Sequence, residues 1–153
     1  MDSEYDEKGN EIRICYLDSD GSPISCFAGY ASATMIYDDH NNLIEEHYFD
    51  RNGNPTTDYE GVASKKAEYD GRMQLIREYH YGIEGDLILD SYGIACYEAA
   101  YDQYGRLIKI TCLDSDLNLT TCVDGYAYYE IKYDTSGAPD VSYYLSDGTQ
   151  IYY

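Results

Sequence analysis

The sequence predicts an all-β fold made of tandem 32-residue β-hairpin repeats, forming an elongated antiparallel solenoid or meander. Three observations predict it. The dipeptide Tyr-Asp falls at Tyr5-Asp6, Tyr37-Asp38, Tyr69-Asp70, Tyr101-Asp102 and Tyr133-Asp134, each step being 32 residues. A second marker keeps that step at Gly29-Tyr30-Ala31, Gly61-Val62-Ala63, Gly93-Ile94-Ala95 and Gly125-Tyr126-Ala127. Apolar residues alternate with period two before each Tyr-Asp, and no 3.6-residue stripe is sustained anywhere. Residues 1–153 therefore read as a single repeat domain of about four and a half units.

Each unit opens on a strand. Ala127, Tyr129, Ile131 and Tyr133 share one face, and Tyr128, Glu130 and Lys132 share the other. Ala95, Tyr97, Ala99 and Tyr101 repeat the pattern, as do Ala31, Ala33, Met35 and Tyr37. Lys65 departs from it and has to snorkel or sit at an edge. A polar turn follows, such as Glu7-Lys8-Gly9-Asn10 or Gln103-Tyr104-Gly105-Arg106, where Gly or Asn takes a positive φ at little cost. The second strand carries Ile12, Ile44, Ile76 or Ile108, always seven residues after the Tyr. Glu46 and Glu78 on its inner face imply that this face is only partly buried. A second turn bears Gly21, Gly53 and Gly85, with Leu117 in the fourth slot, and a short extended piece such as Pro23-Ile24-Ser25 leads to the next unit. The last unit has Asp140 in place of the isoleucine, and Gly148 arrives one residue early, which implies a one-residue deletion after Tyr133. The equivalent tyrosines are expected to form a ladder of stacked rings whose hydroxyls reach polar groups. They read as core, in a protein with 21 Tyr, 2 Phe and no Trp.

Charge excludes some functions. Ten Lys and Arg against 29 Asp and Glu leave −19, a balance that repels phosphate backbones and speaks against nucleic-acid binding. No apolar run is long enough to cross a membrane as a helix, so no membrane insertion is expected. The acidic segment Met1–Lys8 does not read as a signal peptide. Because the pattern opens and closes inside a unit, the chain is expected to be a piece of a longer array, with neighbouring repeats of a parent chain as partners.

The stretch Tyr101-Asp102-Gln103-Tyr104-Gly105-Arg106-Leu107-Ile108-Lys109-Ile110-Thr111 resembles the tyrosine-aspartate repeats of the bacterial Rhs and teneurin-like families. Tyr5-Asp6-Glu7-Lys8-Gly9-Asn10-Glu11-Ile12 matches its first half. The resemblance covers roughly half of each unit. The Gly-Tyr-Ala half does not fit, the step is longer than that family's, and Asn41 and Met73 stand where it has glycine. It implies β-hairpin repeats in a large bacterial surface or secreted protein, serving as shell or stalk without catalysis.

The acidic turns offer the one candidate ion site. Asp18 and Asp20, Asp50 and Asn52, and Asp114 and Asp116 place oxygens at alternate positions, as calcium loops do, but no bidentate Glu follows. A hairpin turn in which Asp bonds its own backbone explains the same residues. No other cofactor is expected. Cys15 with Cys26 and Cys112 with Cys122 flank such turns and read either as two disulfides of a secreted protein or as free thiols, with Cys96 left over. No two-residue Cys spacing suggests zinc. His40, His47 and His80 read as ordinary residues, and the adjacent Glu45 and Glu46 face opposite ways, so no catalytic pair forms and no enzyme is expected. The functional expectation is a non-catalytic scaffold or interaction module with a protein partner, extracellular or at the cell surface, though the thiols also suit a cytoplasmic setting. The alternative is a carbohydrate-binding module that stacks sugar rings on exposed tyrosines. End-to-end self-association through open edge strands is a further expectation.

Overall fold

The computed structural model describes residues 1–152. Eleven strands form an antiparallel meander in which each strand neighbours the next in sequence: β1 (Asp2–Tyr5), β2 (Glu11–Cys15), β3 (Ser32–Tyr37), β4 (Leu43–Phe49), β5 (Ser64–Tyr69), β6 (Leu75–Tyr81), β7 (Cys96–Tyr101), β8 (Leu107–Leu113), β9 (Tyr128–Tyr133), β10 (Pro139–Tyr144) and β11 (Gln150–Ile151). The described residues contain no helix. By contacts the chain divides into two compact halves, Met1–Ala67 with His80–Asp86, and Glu68–Tyr79 with Leu87–Tyr153.

Within a hairpin the strands pair along their length and carry one irregularity. Tyr37 lies opposite Leu43 while Ile36 lies opposite Glu45, so Ile44 is an extra residue, a β-bulge. Ile12 and Ile108 hold the same place between Glu11 and Arg13 and between Leu107 and Lys109. The recurring isoleucine is thus the bulge residue. In the last hairpin Tyr133 faces Pro139 and Lys132 faces Asp140 without a shift. That hairpin has no bulge, and it is the one in which the isoleucine and the spacing fail together.

One hairpin joins the next through only three residues. In the first half these are Arg13, Ile14 and Cys15 opposite Thr34, Ala33 and Ser32, then Glu45, Glu46 and His47 opposite Lys66, Lys65 and Ser64. In the second half they are Arg77, Glu78 and Tyr79 opposite Glu98, Tyr97 and Cys96, then Lys109, Ile110 and Thr111 opposite Glu130, Tyr129 and Tyr128. Such short pairing needs reinforcement at both ends. At the hairpin tip, the Tyr-Asp tyrosine supplies it. Tyr37 donates its hydroxyl to the carbonyl of Glu11 at 3.1 Å, Tyr101 to that of Leu75 at 2.8 Å and Tyr133 to that of Leu107 at 2.9 Å. Equivalent tyrosines stand two strands apart, about 9.6 Å, which is too far for ring stacking. The hydroxyls reach polar groups as expected, but the expected stacked ladder is not what joins the hairpins.

At the other end the Gly-Tyr-Ala marker does the joining. Ala31 N–H donates to Phe49 and its carbonyl accepts from Tyr16, at 2.8 and 2.9 Å. Ala127 likewise donates to Tyr144 at 2.7 Å and accepts from Cys112 at 2.8 Å. Ala31, Ala63, Ala95 and Ala127 are all buried. In the preceding turn Tyr59 N–H reaches Ala28 carbonyl at 2.8 Å, and a Cβ on Gly29 would lie 3.3 Å from that same nitrogen. Glycine at this point lets two turn backbones touch.

The core lies close to these alanines. In the first half Ala33, Met35 and Tyr48 pack with Ile14, Tyr30, Tyr37 and Leu43. In the second, Ile94, Cys112 and Cys122 pack with Tyr97 and Tyr126. The short extended piece forms single bridges at Leu17–Pro23, Phe49–Pro55 and Leu113–Leu119, folding back on the end of its own second strand. Lys65 is not at an edge, and its ammonium lies 3.2 Å from Glu60 and 3.9 Å from Asp58.

Removing one joint hydroxyl is expected to cost about 1 kcal/mol. Urea unfolding should show that loss for Tyr101→Phe and none for Tyr5→Phe, whose ring is 61 % exposed.

Candidate functional site

The acidic turns share one geometry. Asp18 N–H bonds Ser22 carbonyl and Gly21 N–H bonds Asp18 carbonyl, at 2.9 and 3.2 Å, which is a type I turn closed by a left-handed residue. The Asp18 carboxylate accepts from the N–H groups of Asp20 and Ser22, both at 2.9 Å. Asp50 does the same with Asn52 and Asn54, and Asp114 with Asp116 and Asn118. The tip turns repeat it from Asp6, Asp38, Asp70, Asp102 and Asp134. Hydrogen bonds from Asn10 hold the Asp6 carboxyl below its ordinary range, and those from Asn42 do so for Asp38.

This use of the carboxylate bears on calcium. One oxygen of each leading Asp is already turned inward to two N–H groups, and calcium takes six to eight oxygens. Asp20, Asn52 and Asp116 are exposed. Among the described residues no three His, Cys, Asp or Glu side chains gather in a group that fits a metal ion. The predicted pairs Asp18 and Asp20, Asp50 and Asn52, and Asp114 and Asp116 lie where expected in sequence, and what the structure brings together there is the turn backbone.

A third set of turns, at the Gly-Tyr-Ala end, holds residues that the sequence reading passed over. Asp58 and Asp90 are buried and cap their turns through the N–H groups of Glu60 and Val62, and of Tyr92 and Ile94. Cys26 and Cys122 open the equivalent turns, each 32 residues from one of these aspartates. That shared register was the available signal. Cys122 packs against Cys112, and burial, then the neighbouring Cys122, pushes the Cys112 thiol up to about 12. Burial pushes Cys96 up to about 11. All five cysteines are free. Cys15 and Cys112 stand one register step apart, so on alternating strands they face opposite ways. Cys26 lies beside Tyr16, and the Cys15 thiol turns instead toward the Tyr16 carbonyl, so the first of the two expected pairs is not brought together.

The face opposite the core is laced with charge. Arg13 pairs with Glu4 at 2.7 Å, Lys66 with Glu45 at 3.1 Å and Lys109 with Glu130 at 3.7 Å, and Arg77 bonds Glu98. His47 lies 3.2 Å from Glu45 on this face. Charges that meet across a joint are opposite in sign, which cross-strand neighbours require.

Tyrosines on the inner face contact one another. Tyr30 stacks on Tyr48 at 4.6 Å, and Tyr126, Tyr129 and Tyr143 form a cluster with centroids 5.1–5.9 Å apart. Burial, more than any charge, raises the hydroxyl pKa of Tyr30, Tyr48 and Tyr126. Tyr59 and Tyr104, both largely exposed, stand at separate turns. No family model matches the chain, and no curated protein matches it significantly.

Two outcomes follow from these turns and thiols. Leu117 holds φ 61° in the slot where Gly21 and Gly53 sit, and an L side chain costs about 1–2 kcal/mol there. Because Leu117 is half exposed, Leu117→Gly should raise the urea midpoint, by about 1 kcal/mol in stability. Alkylation of the native reduced protein at pH 8 should mark Cys26 first. Cys96 and Cys112, with thiol pKa values above that pH, should stay unmarked until unfolding, as peptide mass spectrometry would show.

Proposed function

We propose that the chain is a tandem array of 32-residue hairpin units acting as a non-catalytic scaffold or interaction module of a bacterial surface or secreted protein. One observation carries this reading. The residues that recur every 32 positions serve to build and join hairpins: Tyr hydroxyls on the preceding hairpin, Asp carboxylates on turns, Ala and Gly on close backbone contact. A repeat whose recurring residues all act this way extends by addition, as solenoid proteins do, and presents a regular charged face. The resemblance of Tyr101–Thr111 to tyrosine-aspartate repeats supports a shell or stalk role.

The test is modular extension. A variant carrying a second copy of residues 93–124 directly after Asp124 should fold, remain monomeric and unfold at no lower urea concentration. Loss of folding would overturn the array reading. The second reading, carbohydrate binding, is favoured by the flat exposed rings of Tyr59 and Tyr104, 65 % and 73 % exposed. Tyrosine fluorescence should stay flat against soluble glycans if the scaffold reading is right, and shift if those rings stack on sugars.

A further inference from the structure

Near the end of the second strand, one backbone arrangement recurs. Tyr16 N–H donates to the Ala31 carbonyl, and the Tyr16 carbonyl accepts from Ile24, both at 2.9 Å. Tyr48 makes the same two bonds with Ala63 and Thr56, and Cys112 makes them with Ala127 and Thr120. Ten residues after each of these, Cys26, Asp58 and Cys122 open the turn that precedes the joining alanine. This arrangement brings the two side chains together: Cys26 lies beside Tyr16, and Cys122 packs on Cys112 in hydrogen-bonding contact. At Cys112 and Cys122 the pair is two thiols, 0 % and 5 % exposed, packed with Ile94, Tyr97 and Tyr126. The other cysteines are turned elsewhere. Tyr97 is the residue opposite Cys112, so Cys96, one step along that strand, faces the other way. Cys15 precedes the register position that Tyr16 holds, and its thiol turns to the Tyr16 carbonyl.

We infer that Cys112 and Cys122 form a disulfide when the folding chain meets a small disulfide such as glutathione disulfide, and that this bond staples the end of β8 to the joining turn while the other three cysteines stay outside any protein disulfide. The exchange takes two steps. The Cys122 thiolate attacks one sulfur of the small disulfide, and the first small thiolate leaves. The Cys112 thiolate then attacks the Cys122 sulfur of that mixed disulfide, so that the Cys112–Cys122 bond forms and the second small thiolate leaves. The two cysteines give up two electrons and two protons, and the small disulfide becomes two small thiols. Both sulfurs are buried in the native packing, so the exchange belongs to folding, before that packing closes. The bond closes a loop of eleven residues, 112–122. That loop carries Leu117 at φ 61°, in the slot that glycine fills at Gly21, Gly53 and Gly85. The staple thus restrains the acidic turn whose left-handed position bears a side chain. It forms whether or not the array serves as a scaffold.

The test is refolding of the reduced, urea-unfolded full chain in a mixture of reduced and oxidised glutathione, followed by acid quench, alkylation in urea and peptide mass spectrometry. Trypsin sorts the cysteines by itself: the peptide of residues 110–132 holds Cys112 and Cys122 alone, that of residues 14–51 holds Cys15 and Cys26, and that of residues 78–106 holds Cys96. The 110–132 peptide should be unalkylated and lighter by two hydrogens, and the other two should contain no bond between protein cysteines. Alkylated Cys112 and Cys122, a glutathione adduct that persists on either, or a bond from either to Cys15, Cys26 or Cys96 would each overturn the inference. The oxidised chain should unfold in urea with an equilibrium constant about 100-fold smaller than the same chain in dithiothreitol. Cys26→Ala, outside the bond, should keep that difference, and Cys122→Ala should abolish it. Equal urea midpoints for the oxidised and reduced chains, or a difference that survives Cys122→Ala, would overturn the stapling role. Should Cys122→Ala fail to fold, the peptide map and the Cys26→Ala comparison decide the question alone.

Discussion

Hairpins that meet over three residues cannot hold register by main-chain pairing alone, and this chain answers with a hydroxyl. Tyr37, Tyr101 and Tyr133 each reach back to a carbonyl 26 residues earlier, at the start of the preceding hairpin's second strand. At Glu11 and Leu107 the carbonyl sits next to a bulge, where the extra isoleucine leaves the ladder locally disrupted. The tyrosine thus satisfies a main-chain acceptor that the bulge sets apart. Its neighbour Asp fixes the turn that follows. The pairing of these two residue types in one dipeptide has a physical reason: one fastens the hairpin to what precedes it, the other closes the hairpin it begins.

The two ends of each hairpin solve different problems. At the tips, long polar side chains bond the next turn, as Lys8 to Asp39, Arg72 to Gln103 and Gln74 to Gly105. These bonds are largely exposed and tolerate varied chemistry. At the Gly-Tyr-Ala end the contacts are backbone on backbone and buried, so side chains must be small or absent. Burial concentrates there, around Val62, Ile94 and the alanines. The apolar core is small because a meander of hairpins offers few opposing layers, and tyrosine suits it. A ring can pack on another ring while its hydroxyl finds water or a carbonyl.

Net charge shapes what the molecule can meet. A total of −19 opposes close approach of copies, and the local rule at the joints refines that global term. Opposite charges across internal joints keep successive strands in one register, because a slip by one residue would turn each charge to the other face.

Strand class and the positions of the turns were legible in the sequence because period-two alternation and polar, glycine-bearing stretches leave direct marks in it. The Asp turns were legible too, since Asp followed three residues later by Gly is a local motif. Other features needed the tertiary structure. That the isoleucine is a bulge depends on which residues face each other across a hairpin, and so does the absence of a bulge from the last hairpin. The distance between equivalent tyrosines is set by two strand spacings, so stacking could be refused only once the strands were in place. Cys15 and Cys112 look equivalent within one position along the chain, yet one position on a strand reverses the face, so only Cys112 meets its partner across the turn. Local residue patterns determine which elements form. Which side chains meet is decided by register, and register is a property of the folded sheet.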